Sequence, residues 1–375
     1  MNIQPISQNS FKGYDARPLK GVLLPSCLDG IKDEMVNIGK KENFKVFPLN
    51  NTEKIWAQDL WTILKDSILT HSVDMESEAI RKYLNGLKYN FTQKIIRGIE
   101  LNKFMKVPKD KVQLMLITDN PEENAHISGG NLFLVNNGSK DEVLVGENEL
   151  KRGTLDHTDI MGMYGVDKIT VLPQMDFHLD LFIRPLDKKN ILITDDQMTL
   201  NVLHNIHNTL LKNPRKYSDA IKRTYTVIQN FKQAIDNNPY KQTNAVDTAL
   251  KNAGYNTVRV PGRIYDVLQD DIGLRHYCNF MNANVLKNKR GNIVYITNKS
   301  DIDSILGLTP EIIKETGCSF ENAFIKSISR YVGKNHTYFI EGKDDYTIQD
   351  LLYNYQGGIH CICSEVPFND KNPEN

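Results

Sequence analysis

Residues 168–194 read KITVLPQMDFHLDLFIRPLDKKNILIT, and this pattern decides the fold class. Two short apolar runs rich in β-branched residues, Lys168–Pro173 and Asn190–Thr194, are typical of strands bounded by Pro, Asn and Asp. Between them lies an apolar segment that carries a histidine and an aspartate. Similar runs predict further strands at Gly21–Pro25, Phe44–Leu49, Val112–Thr118, Asn131–Val135, Thr257–Pro261, Asn292–Thr297, Thr337–Glu341 and Gly358–Val366.

Segments with helical period lie between several of these strands, so we predict a mixed α/β fold. Ile221, Tyr225, Ile228 and Ile235 follow such a period after the break at Asn213 and Pro214. Two stretches rich in Lys, Asn and Gln, at about 75–106 and 198–252, are predicted to be helical insertions. No linker rich in Gly, Pro or Ser divides the chain, which favours a single domain over residues 1–375.

Composition excludes several classes of protein. The 46 basic and 46 acidic residues cancel, so no global field attracts nucleic acid or an anionic membrane. No apolar run approaches the roughly 20 residues that span a bilayer, and the N-terminus lacks the apolar stretch of a secretory signal. We expect a soluble protein that is cytoplasmic, or secreted without a cleaved signal peptide.

The cysteines and acidic residues predict neither a metal nor another cofactor. Five cysteines, an odd number, are scattered along the chain, which argues against a disulfide framework and against a zinc site with paired CxxC arms. No Asp and Glu cluster has the spacing of a calcium loop. Two of the histidines, His126 and His360, are interpreted as structural residues, or at best as supports for other site residues.

A cysteine lies near the end of the last predicted strand. Gly357 and Gly358 precede Cys361, and such glycines let a backbone or a ligand approach closely. Taken alone, Cys361 is equally well explained as a small buried hydrophobe. A reactive thiol would need a base or a positive charge nearby. Cys363 would share its strand face, where it packs or serves as a resolving thiol.

A histidine and an aspartate are the predicted partners of this thiol. If residues 177–182 form a strand, its period of two sends His178 and Asp180 to one face, and Leu179 and Leu181 to the other. The alternative is that the pair caps a strand edge. The apolar setting favours a site, because titratable groups are costly to bury without a reason.

Two further segments are candidates for binding a cation. Asp59 lies between Trp56 and Trp61, the two tryptophans of the chain, and aromatic walls can cover a planar cation. Gly130 would let backbone approach a substrate, to which Asn131 could donate a hydrogen bond. Two core tryptophans and a plain turn before a strand explain these segments equally well.

Together the four segments resemble the guanidino-group-modifying, or pentein, superfamily, and within it the protein-arginine deiminases and agmatine deiminases. Trp56-Ala57-Gln58-Asp59 is similar to the W-x-Q-D segment of the former group, and Gly130-Asn131-Leu132 to a G-N-L strand found in both. His178-Leu179-Asp180 resembles their H-V-D motif. Ile359-His360-Cys361, with Pro367 six residues on, resembles the I-H-C ending of agmatine deiminases.

The resemblance implies a fold and a set of roles. The fold would be a five-bladed pseudosymmetric α/β propeller with the site in its central channel. Cys361 would be the nucleophile, His178 the proton shuttle, and Asp59 and Asp180 the carboxylates that hold the guanidinium group. Trp56, Gly130 and Asn131 would complete the substrate site.

The expected activity is deimination through a covalent thiouronium intermediate, which releases ammonia and a ureido product. The substrate is either peptidyl arginine or a small guanidine such as agmatine. Leu60, Trp61 and Glu365 depart from the agmatine deiminase pattern and leave this choice open. Alternatives are an amidinotransferase with the same site, a module that binds arginine without turnover, and a structural protein with chance motifs. The oligomeric state is left open.

Overall fold

The computed structural model describes about seven tenths of the chain. The described residues are 19–25, 27–49, 55–63, 68–70, 94–95, 105–106, 114–115, 129–136, 140–151, 156–238, 242–266, 276–288, 290–343, 346–355 and 357–367.

The described strands are short and run through the chain from one end to the other. In chain order they are β1 (Leu19–Pro25), β2 (Lys45–Leu49), β3 (Trp61–Ile63), β4 (Ile68–Thr70), β5 (Lys94–Ile95), β6 (Met105–Lys106), β7 (Leu114–Met115), β8 (Leu132–Asn136), β9 (Asp141–Gly146), β10 (Lys168–Leu172), β11 (Ile183–Pro185), β12 (Asn190–Thr194), β13 (Asn256–Val260), β14 (Arg263–Tyr265), β15 (His276–Asn279), β16 (Asn284–Lys287), β17 (Ile293–Asn298), β18 (Thr337–Ile340), β19 (Gly342–Lys343), β20 (Tyr346–Thr347) and β21 (Ser364–Pro367).

One sheet pattern occurs five times among the described residues. Three-stranded sheets have the orders β2-β1-β21, β3-β4-β7, β8-β9-β10, β11-β12-β13 and β16-β17-β18. In each, the central strand pairs antiparallel with one neighbour and parallel with the other. The first of these sheets joins the two ends of the described chain, because β21 pairs with β1. Two-stranded sheets are formed by β5-β6, β14-β15 and β19-β20.

In four of these five sheets described helices connect the two parallel strands: β1 to β2, β9 to β10, β12 to β13 and β17 to β18. The described helices are α1 (Asp29–Glu42), α2 (Ala57–Leu60), α3 (Glu147–Lys151), α4 (His157–Tyr164), α5 (Asp196–Leu210), α6 (Ser218–Asn237), α7 (Thr243–Asn252), α8 (Ile302–Ile305), α9 (Pro310–Thr316), α10 (Phe320–Ile328), α11 (Ile348–Tyr355) and α12 (Ile359–Ile362), with 3-10 turns at Gly129–Asn131, Leu179–Leu181 and Lys334–His336. The fold is therefore α/β, as predicted.

Local sequence explains where several helices begin. The carboxylate of Asp195 accepts a hydrogen bond from the Met198 backbone N–H at 3.0 Å and caps α5. Thr309 caps α9 through the Ile312 N–H at 3.3 Å, with Pro310 at the first helical position.

Most strand predictions that fall on described residues are confirmed within one or two residues, but the last one is half wrong. Of the predicted strand Gly358–Val366, only the end is β21, and its first half is the helical turn α12. Asn131 belongs to a 3-10 turn, so β8 begins one residue later than predicted. The predicted strand at 112–118 is described only at β7.

The helical stretch predicted at 198–252 is confirmed as α5, α6 and α7, which together connect β12 to β13. Its buried face differs from the predicted one: in α6, Val227, Ile228 and Phe231 are buried, whereas Tyr225 is exposed. In the other predicted helical stretch, 75–106, the described residues are not helical but form the antiparallel strands β5 and β6. The remainder of that stretch lies outside the described residues.

Two apolar cores are the largest among the described residues. The larger contains the fully buried Phe231, Phe280 and Phe324. The second includes Ile359 and Ile362 and so anchors the turn that carries Cys361. In the part of the chain that the structure describes, no helix combines the length and apolarity needed to cross a membrane.

A buried ion-pair network links β14 and the start of α5 to the segment that precedes His178. Arg263 is almost completely buried, and its guanidinium donates to Asp176 at 2.8 Å and to Asp196 at 3.1 Å. These carboxylates raise the pKa of Arg263 in spite of its burial. Asp176, only two residues before His178, is thereby held in place.

We predict that Arg263→Leu lowers the free energy of unfolding by about 3 to 5 kcal/mol, because it leaves two carboxylates without their buried cation. Urea denaturation followed by circular dichroism measures this loss. Arg223→Leu is the matched control: its exposed pair with Asp219, at 2.7 Å, should contribute less than about 1 kcal/mol. Equal losses for the two variants would contradict the prediction.

Candidate active site

Cys361 lies on α12, a single helical turn, and not on the predicted strand. A turn this short leaves its first backbone N–H groups without partners inside the helix. Two buried asparagines accept them: Ile359 N–H donates to Asn298 Oδ1 at 2.8 Å, and His360 N–H donates to Asn282 Oδ1 at 2.9 Å. Side chains from elsewhere in the fold thus hold the turn and its half-buried cysteine.

Glycine is required immediately before this turn. A Cβ built on Gly358 would overlap the side-chain amide of Asn298, and one on Gly357 would lie 2.6 Å from Cζ3 of Trp56. A close approach at these glycines is confirmed, but not by the backbone or ligand that was predicted. The groups that approach are protein side chains, and Trp56 packs against the backbone that leads to Cys361.

Asp180 is completely buried and contacts the cysteine directly. The Cys361 thiol donates to Asp180 Oδ2 at 3.3 Å. The same oxygen accepts hydrogen bonds from Asn282 Nδ2 at 2.9 Å and from His360 Nδ1 at 2.8 Å. Several donors of this kind are what a buried carboxylate needs to remain ionised.

The strand predicted at 177–182 is wrong, although the two residues it was meant to bring together do share a site. His178 has extended backbone, but Leu179–Leu181 is a 3-10 turn that buries both leucines together with Asp180. A Cβ on Gly130 would lie 2.6 Å from His178 Nδ1 and 2.9 Å from Asp180 Oδ1. Both side chains therefore border Gly130, by a turn and not by strand alternation.

Asn131 holds this turn in place. Its Oδ1 accepts hydrogen bonds from the Leu179 N–H at 3.1 Å and from Gln174 Nε2 at 3.3 Å. Its Nδ2 donates to Glu149 at 2.9 Å. The hydrogen bond to Leu179 explains why the chain bends here and does not continue as a strand.

The segment from Trp56 to Asp59 lies beside the Cys361 turn. Gln58, on α2, has its Nε2 2.7 Å from His360 Nε2. The backbone of Asp59 belongs to the same short helix, but its side chain lies outside the described residues. The predicted role of this carboxylate therefore stays a prediction.

His360 contacts Asp180 and so supports another site residue, the second of the two roles predicted for it. Since the Gln58 amide donates to Nε2, the ring proton is assigned to Nδ1, which donates to Asp180. Burial, together with the charges of Arg184 and His178, lowers the pKa of His360 well below its usual value. The contact is a hydrogen bond from a neutral ring. His126 lies outside the described residues.

Sequence reasoning missed two buried residues of this site, Asn282 and Arg184. The Arg184 guanidinium lies over the ring of Phe133, with 5.2 Å between its central carbon and the ring centroid. Burial lowers its pKa to about 10, although the charges of Tyr295, Asp180 and Cys361 act in the opposite direction. The available signal was an arginine in an apolar strand four residues after Asp180. Nothing in the sequence distinguishes Asn282 from the neighbouring asparagines.

Cys363 does not share a face with Cys361. It is completely buried in the second core, and burial raises its pKa to about 12. It packs, as one of the two interpretations held, and its position does not suit a resolving thiol.

Comparison with solved structures identifies the fold. An agmatine deiminase from C. jejuni matches 95% of this chain and 95% of its own, with 13% identity and a TM-score of 0.50. A dimethylarginine dimethylaminohydrolase adduct with 4-chloro-2-hydroxymethylpyridine matches with 10% identity and a TM-score of 0.37, over 92% of this chain and 99% of its own. The inosamine-phosphate amidinotransferase of Streptomyces griseus matches with 9% identity and a TM-score of 0.37, over 96% and 97% of the two chains.

No family model matches the sequence, and no curated protein is significantly similar to it. The chain has the fold of the agmatine deiminase from C. jejuni.

We predict that alkylation of the folded protein by iodoacetamide at neutral pH labels Cys361 but not Cys363. The thiol of Cys361 is half-buried, whereas Cys363 is fully buried with a raised pKa. Tandem mass spectrometry of the peptide that contains both residues gives the ratio. Denatured protein, in which both cysteines should react, is the control; equal labelling in the folded state would contradict the assignment.

Proposed function

We propose that this chain is a cysteine-dependent hydrolase that deiminates a guanidinium group. Cys361 would be the nucleophile, His178 the proton shuttle, and Asp59 and Asp180 the carboxylates that hold the cation. The observation that carries the proposal is the contact of 3.3 Å between Cys361 Sγ and Asp180 Oδ2, with His178 beside Asp180 at Gly130.

This contact suits a guanidinium substrate for a geometric reason. A guanidinium group is planar and permanently protonated, and its N–H groups match a carboxylate. A group whose nitrogens are bound by Asp180 brings its central carbon close to the sulfur of Cys361. Burial of Asp180 strengthens these charge-assisted hydrogen bonds relative to water.

The proposed reaction has two covalent steps. The Cys361 thiolate attacks the guanidinium carbon, and the tetrahedral adduct collapses when the C–N bond to the departing nitrogen breaks. His178 gives that nitrogen a proton, so that it leaves as ammonia. His178 then accepts a proton from water, which attacks the thiouronium carbon; the C–S bond breaks and a ureido product is released. No metal takes part in these steps.

The repeated sheet pattern supports a more specific fold proposal. Five sheets of identical pairing would close into a five-bladed pseudosymmetric propeller within one domain, with α5, α6 and α7 as a helical insertion. A site assembled from segments around residues 58, 130, 180, 282 and 361 accords with a position at the centre of such a ring.

The proposed substrate is a small guanidine such as agmatine, or arginine within a peptide. We predict that the purified protein converts at least one of agmatine, free arginine or an arginine peptide, with one ammonia released for each ureido product. An enzymatic ammonia assay and mass spectrometry of the product measure the two yields.

Cys361→Ala should lower the rate at least about a thousandfold, because it removes the nucleophile. Cys318→Ala, at another half-buried free cysteine, should leave the rate unchanged. Transfer of the amidino group to an added amine, without release of ammonia, would show that the activity is amidino transfer and not hydrolysis. Binding of guanidines in calorimetry without any product would indicate a binding module, and full activity of Cys361→Ala would refute the proposal.

A further inference from the structure

Asn282 is completely buried and touches both reactive groups of the site. Its Nδ2 lies 2.9 Å from Asp180 Oδ2 and 3.1 Å from Cys361 Sγ. An amide NH₂ has two N–H donors, so one can face each acceptor. In the contact with Cys361 the amide N–H of Asn282 donates and the sulfur accepts.

The orientation of this amide follows from its third contact. The His360 backbone N–H can only donate, and it lies 2.9 Å from the other end of the Asn282 amide. That end must therefore be the carbonyl oxygen. The NH₂ group then faces Asp180 and Cys361, in agreement with the acceptor character of a carboxylate.

The backbone of Asn282 is held from two sides. Its N–H donates to Asn279 Oδ1 at 3.1 Å, and its carbonyl accepts from Asn298 Nδ2 at 3.0 Å. Asn298 also accepts the Ile359 N–H of the cysteine turn. The amide is therefore positioned before any substrate enters, and needs no reorganisation to act on the sulfur.

We propose that Asn282 is a catalytic residue whose side-chain N–H stabilises the thiolate of Cys361 next to the carboxylate of Asp180. The proposal rests on the proposed function, in which Cys361 is the nucleophile. In the thiol state the S–H donates to Asp180; when that proton leaves to solvent, two anions remain in contact and repel each other. The Asn282 NH₂ donates to both anions and offsets this repulsion.

Neighbouring asparagines do not have this arrangement. Asn284 is equally buried, and its Nδ2 donates to the carbonyl of Ile359 at 3.3 Å on the same turn. It also bonds with Cys363 and lowers the pKa of that thiol, against the larger effect of burial. A comparison of variants at Asn282 and Asn284 therefore distinguishes an effect on the Cys361 sulfur from a loss of support for the turn.

The test is the pH dependence of Cys361 alkylation by iodoacetamide in Asn282→Leu, with the labelled peptide quantified by mass spectrometry. Loss of a hydrogen bond to a charged group should raise the pKa of the Cys361 thiol by about 1 to 2 units. Alkylation near neutral pH should then slow about ten- to a hundredfold. Asn284→Leu, which removes a comparable amide that contacts the same turn from β16, should leave the profile unchanged.

Asn282→Ala serves as a second variant that removes the donor without adding bulk, and circular dichroism verifies that each variant is folded. An unchanged profile in a folded Asn282 variant, or an equal shift in Asn284→Leu, would overturn the inference. The readout needs no substrate. A shifted profile in a protein that converts no guanidine would uphold the role of Asn282 and reject the proposed function. Turnover of a guanidine without a shift in the profile would uphold the proposed function and reject the role of Asn282.

Discussion

The buried carboxylate of Asp180 is the constraint on which the site depends. An ionised group without access to water is unstable unless donors surround it, and loss of a single partner from such a group is costly. Here one oxygen accepts hydrogen bonds from His360, Asn282 and Cys361. The carboxylate therefore fixes the positions of three side chains from two distant segments. A substitution at one of them alters the hydrogen bonding of the oxygen that the other two share.

Buried amides extend this constraint to the backbone. The turn that carries Cys361 is too short to satisfy its own N–H groups, and Asn298 and Asn282 accept them. On the other side of the site, Asn131 does the same for Leu179 at the turn that carries Asp180. Cys361 and Asp180 thus lie on irregular turns that are held by side-chain amides from other segments of the chain.

A structural feature can be predicted from the sequence when neighbouring residues determine it, and not when residues far apart in the sequence do. Strands such as β10 and β12 are visible because their apolar runs and bounding residues are local. The pairing of β21 with β1, and the fivefold sheet pattern, leave no repeat in the residues and appear only in the structure.

The same holds within the site. Cys361, His178, Asp180 and Gly130 were predicted to meet because together they match a known arrangement, although Asp180 and Cys361 lie on turns and not on the predicted strands. Those turns depend on Asn131, Asn282 and Asn298, whose contacts span between 16 and 78 residues of sequence. Asn282 has no local signature at all, and Arg184 has only its place in an apolar strand four residues after Asp180. Their proximity to the sulfur and the carboxylate appears only in three dimensions.

The most direct measurement for the central claim is acid-quenched mass spectrometry of the enzyme during turnover of its guanidine substrate. The account predicts a covalent adduct on Cys361 whose mass equals that of the substrate less ammonia, formed and lost at rates that match product release. Steady turnover with Cys361 unmodified at every quench time, and with an adduct on another residue, would contradict it.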